Sequence, residues 1–167
     1  LILYASIYGD TENAAEILAT KLVENGVRNI SLYDVSVTDP SYLVAEAFRC
    51  SHIVFASATY NAGIFTNMEL LLHELETHNF QNRTVAVIEN GTWAPAAGSL
   101  IRNRLAALKN MTFVGETLSV RSSVKSCDFE KLETLAAQLA DSLRGNFPEI
   151  NAAPLEPSSF FKLSYGL

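Results

Sequence analysis

The chain is predicted to fold as a doubly wound α/β domain, a five-stranded parallel sheet between two layers of helices. Three observations predict it. Apolar, β-rich runs alternate with segments of helical periodicity along most of the sequence. Several of those runs are apolar almost throughout, the pattern of strands covered on both faces. The first of them, Leu1–Ala5, empties into Ser6-Ile7-Tyr8-Gly9-Asp10-Thr11 just before a helix, and a hydroxyl- and glycine-bearing turn at that place is how a parallel sheet makes a phosphate cradle.

In chain order, strands are expected at Leu1–Ala5, Asn29–Tyr33, His52–Ser57, Thr84–Ile88 and Thr112–Val120. Gly26 falls where the first helix should end. Asp39-Pro40 reads as an N-cap followed by proline at the first helical position. Met68, Leu71, Leu72 and Leu75 follow the i, i+3, i+4, i+7 spacing of an amphipathic helix, and Leu132, Leu135, Ala136, Leu139 and Leu143 repeat it. Asp128 is the expected cap of that last helix and Gly145 its expected end. The segment 146–159 carries Pro148, Pro154 and Pro157 among small and polar residues, which is linker composition. Residue 1 already sits inside a strand-like run and 160–167 is an apolar segment without a turn, so both ends read as cut from a longer chain. The expected organisation is one domain over 1–145, a linker over 146–159, and the start of a further module at 160–167.

Composition narrows the function. A chain of 167 residues, 49% hydrophobic, builds one substantial core. Its formal charge of −6 argues against nucleic acid, which is bound through basic patches. No apolar run approaches a membrane span and no signal peptide is visible, so a cytoplasmic protein is expected. Cys50 and Cys127 lack Cys-x-x-Cys spacing and read as ordinary thiols. His52, His73 and His78 are scattered and read as surface or helix-face residues, so no metal site is expected.

In a doubly wound sheet the ligand binds outside the carboxyl ends of the strands, where strand order reverses. Three loops meet there. The first is Ser6 to Thr11. The second, Ala58-Thr59-Tyr60-Asn61-Ala62-Gly63-Ile64-Phe65, pairs an aromatic ring with a glycine free to take unusual backbone angles. The third, Glu89-Asn90-Gly91-Thr92-Trp93-Ala94-Pro95-Ala96-Ala97-Gly98, holds the single tryptophan. A planar, phosphate-bearing cofactor satisfies all three, with Tyr60 and Trp93 as stacking faces. An NTPase P-loop is absent, as is the Gly-x-Gly-x-x-Gly of dinucleotide folds, which favours a mononucleotide. A phospho-receiver domain fails because Ala5-Ser6 and Ala56-Ser57-Ala58 stand where it needs an acidic cluster.

Together, Ser6-x-Tyr8-Gly9-x-Thr11-Glu12, Thr59-Tyr60-Asn61-x-Gly63-x-Phe65 and Glu89-Asn90-Gly91-x-Trp93-Ala94-Pro95-x-Ala97-Gly98 resemble the flavodoxin-like domain of the flavodiiron proteins, or A-type flavoproteins, over residues 1 to about 145. The resemblance implies FMN, with Ser6, Ile7, Tyr8, Gly9, Asp10 and Thr11 around the phosphate. Thr59, Tyr60, Asn61, Ala62 and Gly63, with Asn90, Gly91, Thr92, Trp93, Ala94 and Gly98, would flank the isoalloxazine ring. It implies transfer of electrons from a flavin or NAD(P)H reductase to a diiron domain that reduces oxygen or nitric oxide, in the same or another chain, and a homo-oligomeric full-length protein. Residues 160–167 are similar to the start of a flavin-reductase-like module. Ala58 and Ala62 depart from the expected proline and asparagine. Asp10 places a carboxylate near the proposed phosphate, unfavourable if it faces the ligand and harmless as a solvated turn residue. Two other readings stand beside this one: a flavodoxin-like NAD(P)H:quinone reductase, and a non-redox interaction module.

Overall fold

The computed structural model describes residues 1–146; Asn146, the first residue of the expected linker 146–159, is still helical, and the rest of that linker and the expected module start at 160–167 lie outside the described residues. The strands are β1 (Ile2–Ala5), β2 (Leu32–Asp34), β3 (His52–Tyr60), β4 (Gly63–Ile64), β5 (Thr84–Asn90), β6 (Thr112–Phe113) and β7 (Leu118–Val120). The helices are α1 (Asp10–Glu24), α2 (Pro40–Arg49), α3 (Thr66–Thr77), α4 (Ala97–Ala106) and α5 (Ser126–Asn146). The parallel order is β2-β1-β3-β5, followed by an edge made of β6 and β7 in turn, both paired with β5. This is the doubly wound, three-layer α/β fold the sequence predicts.

Period-two alternation distributes the core. Leu3, Ala5, Ile53, Phe55, Val85 and Val87 face one side and meet Leu43, Met68, Leu71, Leu75, Ile101 and Leu105 from α2, α3 and α4. Their neighbours Ile2, Tyr4, Val54, Ala56, Ala86 and Ile88 face the other side and meet Leu18 and Leu22 of α1 and Leu132, Leu135 and Leu139 of α5. Leu143, the last residue of the α5 spacing, is half-buried. Burial on both faces is why these strands read as continuous apolar runs.

Helix ends follow local chemistry. α1 closes in a Schellman arrangement: Gly26, at φ 86°, donates to the Val23 carbonyl at 2.9 Å, and Val27 donates to that of Leu22 at 3.0 Å. Asp39 caps α2, accepting from the Ser41 N–H at 2.9 Å, with Pro40 leading the helix. Asp128 takes a different part from the expected cap. It lies within the first turn of α5 and accepts from the Lys125 N–H behind it at 3.1 Å, the reciprocal half of a capping box. Burial opposes its charge, but that N–H and Lys131 hold its carboxyl below the usual range. Gly145 lies inside α5 rather than ending it.

Other boundaries move because pairing defines them. β2 joins the ladder only at Ile2↔Leu32 and reaches Asp34, whose carboxylate accepts from the Ser36 N–H at 2.7 Å and turns the chain. β3 and β5 each run into their expected loops, since Ala58↔Asn90 still pair. The expected fifth strand is broken. Its first part matches Thr112 with Thr84 and its second Leu118 with Ile88, so the edge spends six positions where β5 spends four. Gly115, at φ 66°, turns the intervening residues out of the ladder.

His52 is also corrected. It is 7% exposed at the start of β3, with Nδ1 2.9 Å from Ser51 Oγ and Nε2 3.2 Å from Ser142 Oγ. Both groups flanking the ring are neutral hydroxyls, and burial lowers its pKa from the ordinary 6.5. Cys50 is half-buried and Cys127 exposed.

The lowered His52 pKa has a definite sign. The unfolded chain takes up the proton near the ordinary value while the folded protein resists it, so stability from the neutral ring is complete above that value and is lost as pH falls through the folded one. Denaturant midpoints should drop between pH 7 and 5, and the drop should be smaller in His52→Gln. Equal slopes would refute the assignment.

Candidate functional site

Parallel pairing in register brings the three expected loops to one edge: Ala5 pairs with Ser57 and Ser57 with Glu89. Between them lies a cleft of about 160 Å³. Ser6, Ile7, Tyr8, Asp10 and Thr11 line one wall, and Ala58, Thr59, Asn90, Gly91 and Thr92 line the opposite one. Gly9, Tyr60, Asn61, Ala62, Gly63, Trp93, Ala94 and Gly98 do not line it.

The first wall is a turn fitted to the start of α1. Gly9, the residue before the helix, takes φ 90°, a left-handed angle for which glycine is suited, and no side chain caps α1. Gly9 N–H donates to Ser6 Oγ at 3.0 Å, which folds the hydroxyl into the turn. Thr11 is 1% exposed and Asp10 half-buried, both at the start of the helix and both on the cleft. Behind this turn Tyr4 donates its hydroxyl to Glu12 at 2.9 Å, and burial together with that carboxylate pushes the phenol pKa up.

Two helices, α1 and α4, start beside these walls, and they differ. At α4, Thr59 Oγ1 accepts from the N–H groups of Ala96 and Ala97 at 3.1 and 3.2 Å, and buried Glu89 accepts from Gly98 N–H at 2.8 Å. Its leading donors are consumed inside the protein. At α1 the cleft opens directly on the helix start, so the positive end of that dipole is the one offered to an anion.

The second loop is a tight hairpin rather than an open loop. Thr59 and Tyr60 belong to β3 and pair with Ile64 and Gly63 of β4. Asn61 and Ala62, the two turn residues, take φ 48° and 57°, the double left-handed geometry of a type I′ turn. The unusual backbone angles expected of Gly63 therefore fall on the two residues before it. Tyr60 is 47% exposed and meets Phe65 edge-on, ring centroids 6.1 Å apart.

In the third loop, Gly91 is a point of close approach. A Cβ there would stand 3.0 Å from Pro95 Cα and 3.2 Å from Thr59 Oγ1. Gly98 is buried within the start of α4, where a Cβ would overlap the Thr117 methyl and come 2.8 Å from Glu89 Oε2. Ala94 and Asn61 are exposed, and Trp93 and Tyr8 stand almost fully free, 94% and 91% exposed, at the rim.

Sequence reasoning missed a fourth contributor. Ser122, after β7, lines the cleft at φ 60°. Its carbonyl accepts from Asn90 Nδ2 at 2.8 Å, and its hydroxyl lies 3.2 Å from that of Thr92. The carboxyl end of the fifth strand was the available signal, since it opens on the same edge.

The sequence matches the flavodoxin family over residues 2–134. This chain belongs to the flavodoxin family. FMN is the cofactor of that family, whose domains transfer electrons. Among solved structures, rubredoxin oxygen:oxidoreductase from Desulfovibrio gigas superposes with a TM-score of 0.81 at 21% identity, over 86% of this chain and 35% of that one. The Flv1 flavodiiron core from Synechocystis gives 0.79 at 17% identity, over 87% and 36%. A flavodoxin from the Archaea gives 0.75 at 19% identity, over 86% and 96%. The chain thus spans about a third of the length of the first two and nearly all of the third. No curated protein sequence matches. No described helix is long and apolar enough to cross a membrane.

Two substitutions test this flavodoxin edge. Ala62→Gly removes a left-handed alanine and should stabilise the fold by about 0.5–1 kcal/mol in denaturant unfolding, relief of strain outweighing the added chain entropy. An equal or lower stability would contradict the turn geometry. Gly98→Ala should cost about 1–3 kcal/mol by overpacking, and Thr117→Ser in the same chain should recover part of it. No recovery would show that the clash lies elsewhere.

Proposed function

We propose that this chain is the FMN-binding electron-transfer domain of a multidomain flavodiiron-type oxidoreductase. In this reading it takes electrons from a flavin or NAD(P)H reductase domain and passes them to a diiron centre located elsewhere, where oxygen or nitric oxide is reduced. The observation that carries the reading is the exposed aromatic rim, Tyr8, Tyr60 and Trp93, around a small polar cleft at the carboxyl edge. Aromatic side chains left in water beside a cofactor site suit both a planar ring and a docking partner. The two flavodiiron structures above, each about three times longer than the matched region, support the multidomain context.

The residues present fit FMN in chemistry. The open start of α1, with the Ser6 and Thr11 hydroxyls, supplies donors for a phosphate monoester. The opposite wall, with Thr59, Asn90 and Thr92, supplies polar partners for a hydroxylated chain. Tyr60 and Trp93 supply apolar faces for the ring outside the cleft. Bound FMN would supply the one- and two-electron chemistry. These loops would hold the cofactor, Tyr60 and Trp93 would offer it aromatic surface, and Ser122 holds Asn90 and Thr92 in place. The net acidic charge favours a basic docking surface on the partner.

The purified chain should carry, or take up, one FMN per protein, identified by chromatography of the released flavin. NADH alone should bleach it slowly and a reductase should bleach it quickly. Rapid bleaching by NAD(P)H with quinone turnover and no second protein would replace this reading with the quinone reductase, and failure to bind FMN would replace it with the interaction module.

A further inference from the structure

A larger cleft, of about 890 Å³, opens at the amino edge of the sheet where β1 and β3 begin, and the proposed function gives it no part. Buried Ile2 and Leu22 line it together with half-buried Val27, Ile30 and Leu143. Its apolar wall is therefore incompletely covered.

Charge there runs against the rest of the chain. In a protein of net charge −6 the charged side chains on the cleft are three arginines, Arg28, Arg49 and Arg144, and no carboxylate lines it. His52 lines it too, and burial lowers its pKa, so the ring adds no charge near neutrality. Glu46 and Asp141, the partners of Arg49 and Arg144, stand outside the lining. Arg28 is exposed and joins no ion pair among the described residues.

Helix α5 delivers the chain to this place. Ala140, Leu143 and Arg144 line the cleft, Arg144 donates to the Asn25 carbonyl on its rim at 3.3 Å, and the helix ends at Asn146. The sequence beyond complements what the cleft offers: Phe147, Ile150 and Leu155 are apolar, Glu149 and Glu156 are acidic, and no lysine or arginine occurs between Arg144 and Lys162. Ten extended residues reach up to about 33 Å, and a tether this short gives an effective concentration on the order of millimolar.

From this we infer that residues 147–156 dock in the amino-edge cleft, with Phe147 and Ile150 against Val27, Ile30 and Leu143 and with Glu149 beside Arg28. The inference does not depend on the FMN reading. Docking there holds the segment at the edge opposite the cofactor cleft, so the rim of Tyr8, Tyr60 and Trp93 stays open to a partner.

The test follows the methyl NMR signals of Val27, Ile30 and Leu143 in the full chain, which an aromatic ring lying on them displaces. N-ethylmaleimide alkylation of Cys50, half-buried on the same cleft, is measured beside it, with exposed Cys127 at the start of α5 as the control. The methyl signals should move in Phe147→Leu. Cys50 should react several-fold faster in Phe147→Ser/Ile150→Ser, in Glu149→Arg and in Arg28→Glu than in the native chain, while the rate of Cys127 is unchanged. Combining Arg28→Glu with Glu149→Arg should restore part of the native protection, and a double variant no better protected than the single ones would overturn the placement of Glu149 beside Arg28. Methyl signals that do not move with Phe147 overturn the inference whatever the reactivity of Cys50, and leave the cleft to another molecule. Protection of Cys50 that grows with protein concentration would put the segment on a second copy of the chain, which overturns docking within one chain.

Discussion

Parallel pairing of β1, β3 and β5 in one register is the constraint on which the molecule depends. Ile2 lies level with Val54, and Val54 with Ala86; three positions on, Ala5, Ser57 and Glu89 are level too. The strands therefore reach the carboxyl edge together, and the chain is released at Ser6 beside the ends of β3 and β5. A slip of one residue would turn every core side chain to the opposite face and exchange the partners of both helical layers. Burial of both faces thus enforces the alignment that assembles the cleft.

At that edge the decisive contrast lies between two helix starts. Both α1 and α4 begin with free N–H groups, as every helix does. Thr59 and Glu89, each projecting from the end of a central strand, satisfy those of α4. Among the described residues no side chain caps α1, where Gly9 carries the chain into the helix in a left-handed conformation. The fold therefore offers one helix end to an anion and keeps the other as a structural joint. Glycine at 98 serves the joint, because a side chain there would displace Glu89 or Thr117.

Much of this was legible in the residues. The alternation of Leu3, Ala5 with Ile2, Tyr4, and the helical spacing of Met68, Leu71, Leu72 and Leu75, each report burial that a single segment encodes. Asp39-Pro40 and Gly26 act within a few residues of themselves, so their roles could be read locally. Several of the misread positions depend on their partners, one close in sequence and two distant. β3 continues to Tyr60 because Gly63 and Ile64 fold back on it. The edge strand breaks at Gly115 because its match to β5 needs two extra residues. His52 looks like a surface histidine until Ser142, ninety positions away, covers it.

By itself the sequence determined the alternation of strands and helices, the two-sided burial, and the composition of the three loops, because periodicity and turn chemistry are local consequences of residue order. Only the tertiary structure decided which of those loop residues face the cleft. Thr59 is tied to α4, Gly98 is packed away, and Ser122 is brought in after the fifth strand to hold Asn90. The reason is physical: a side chain's surroundings at the sheet edge are set by the register of strands separated by thirty or more residues, and no local pattern carries that register.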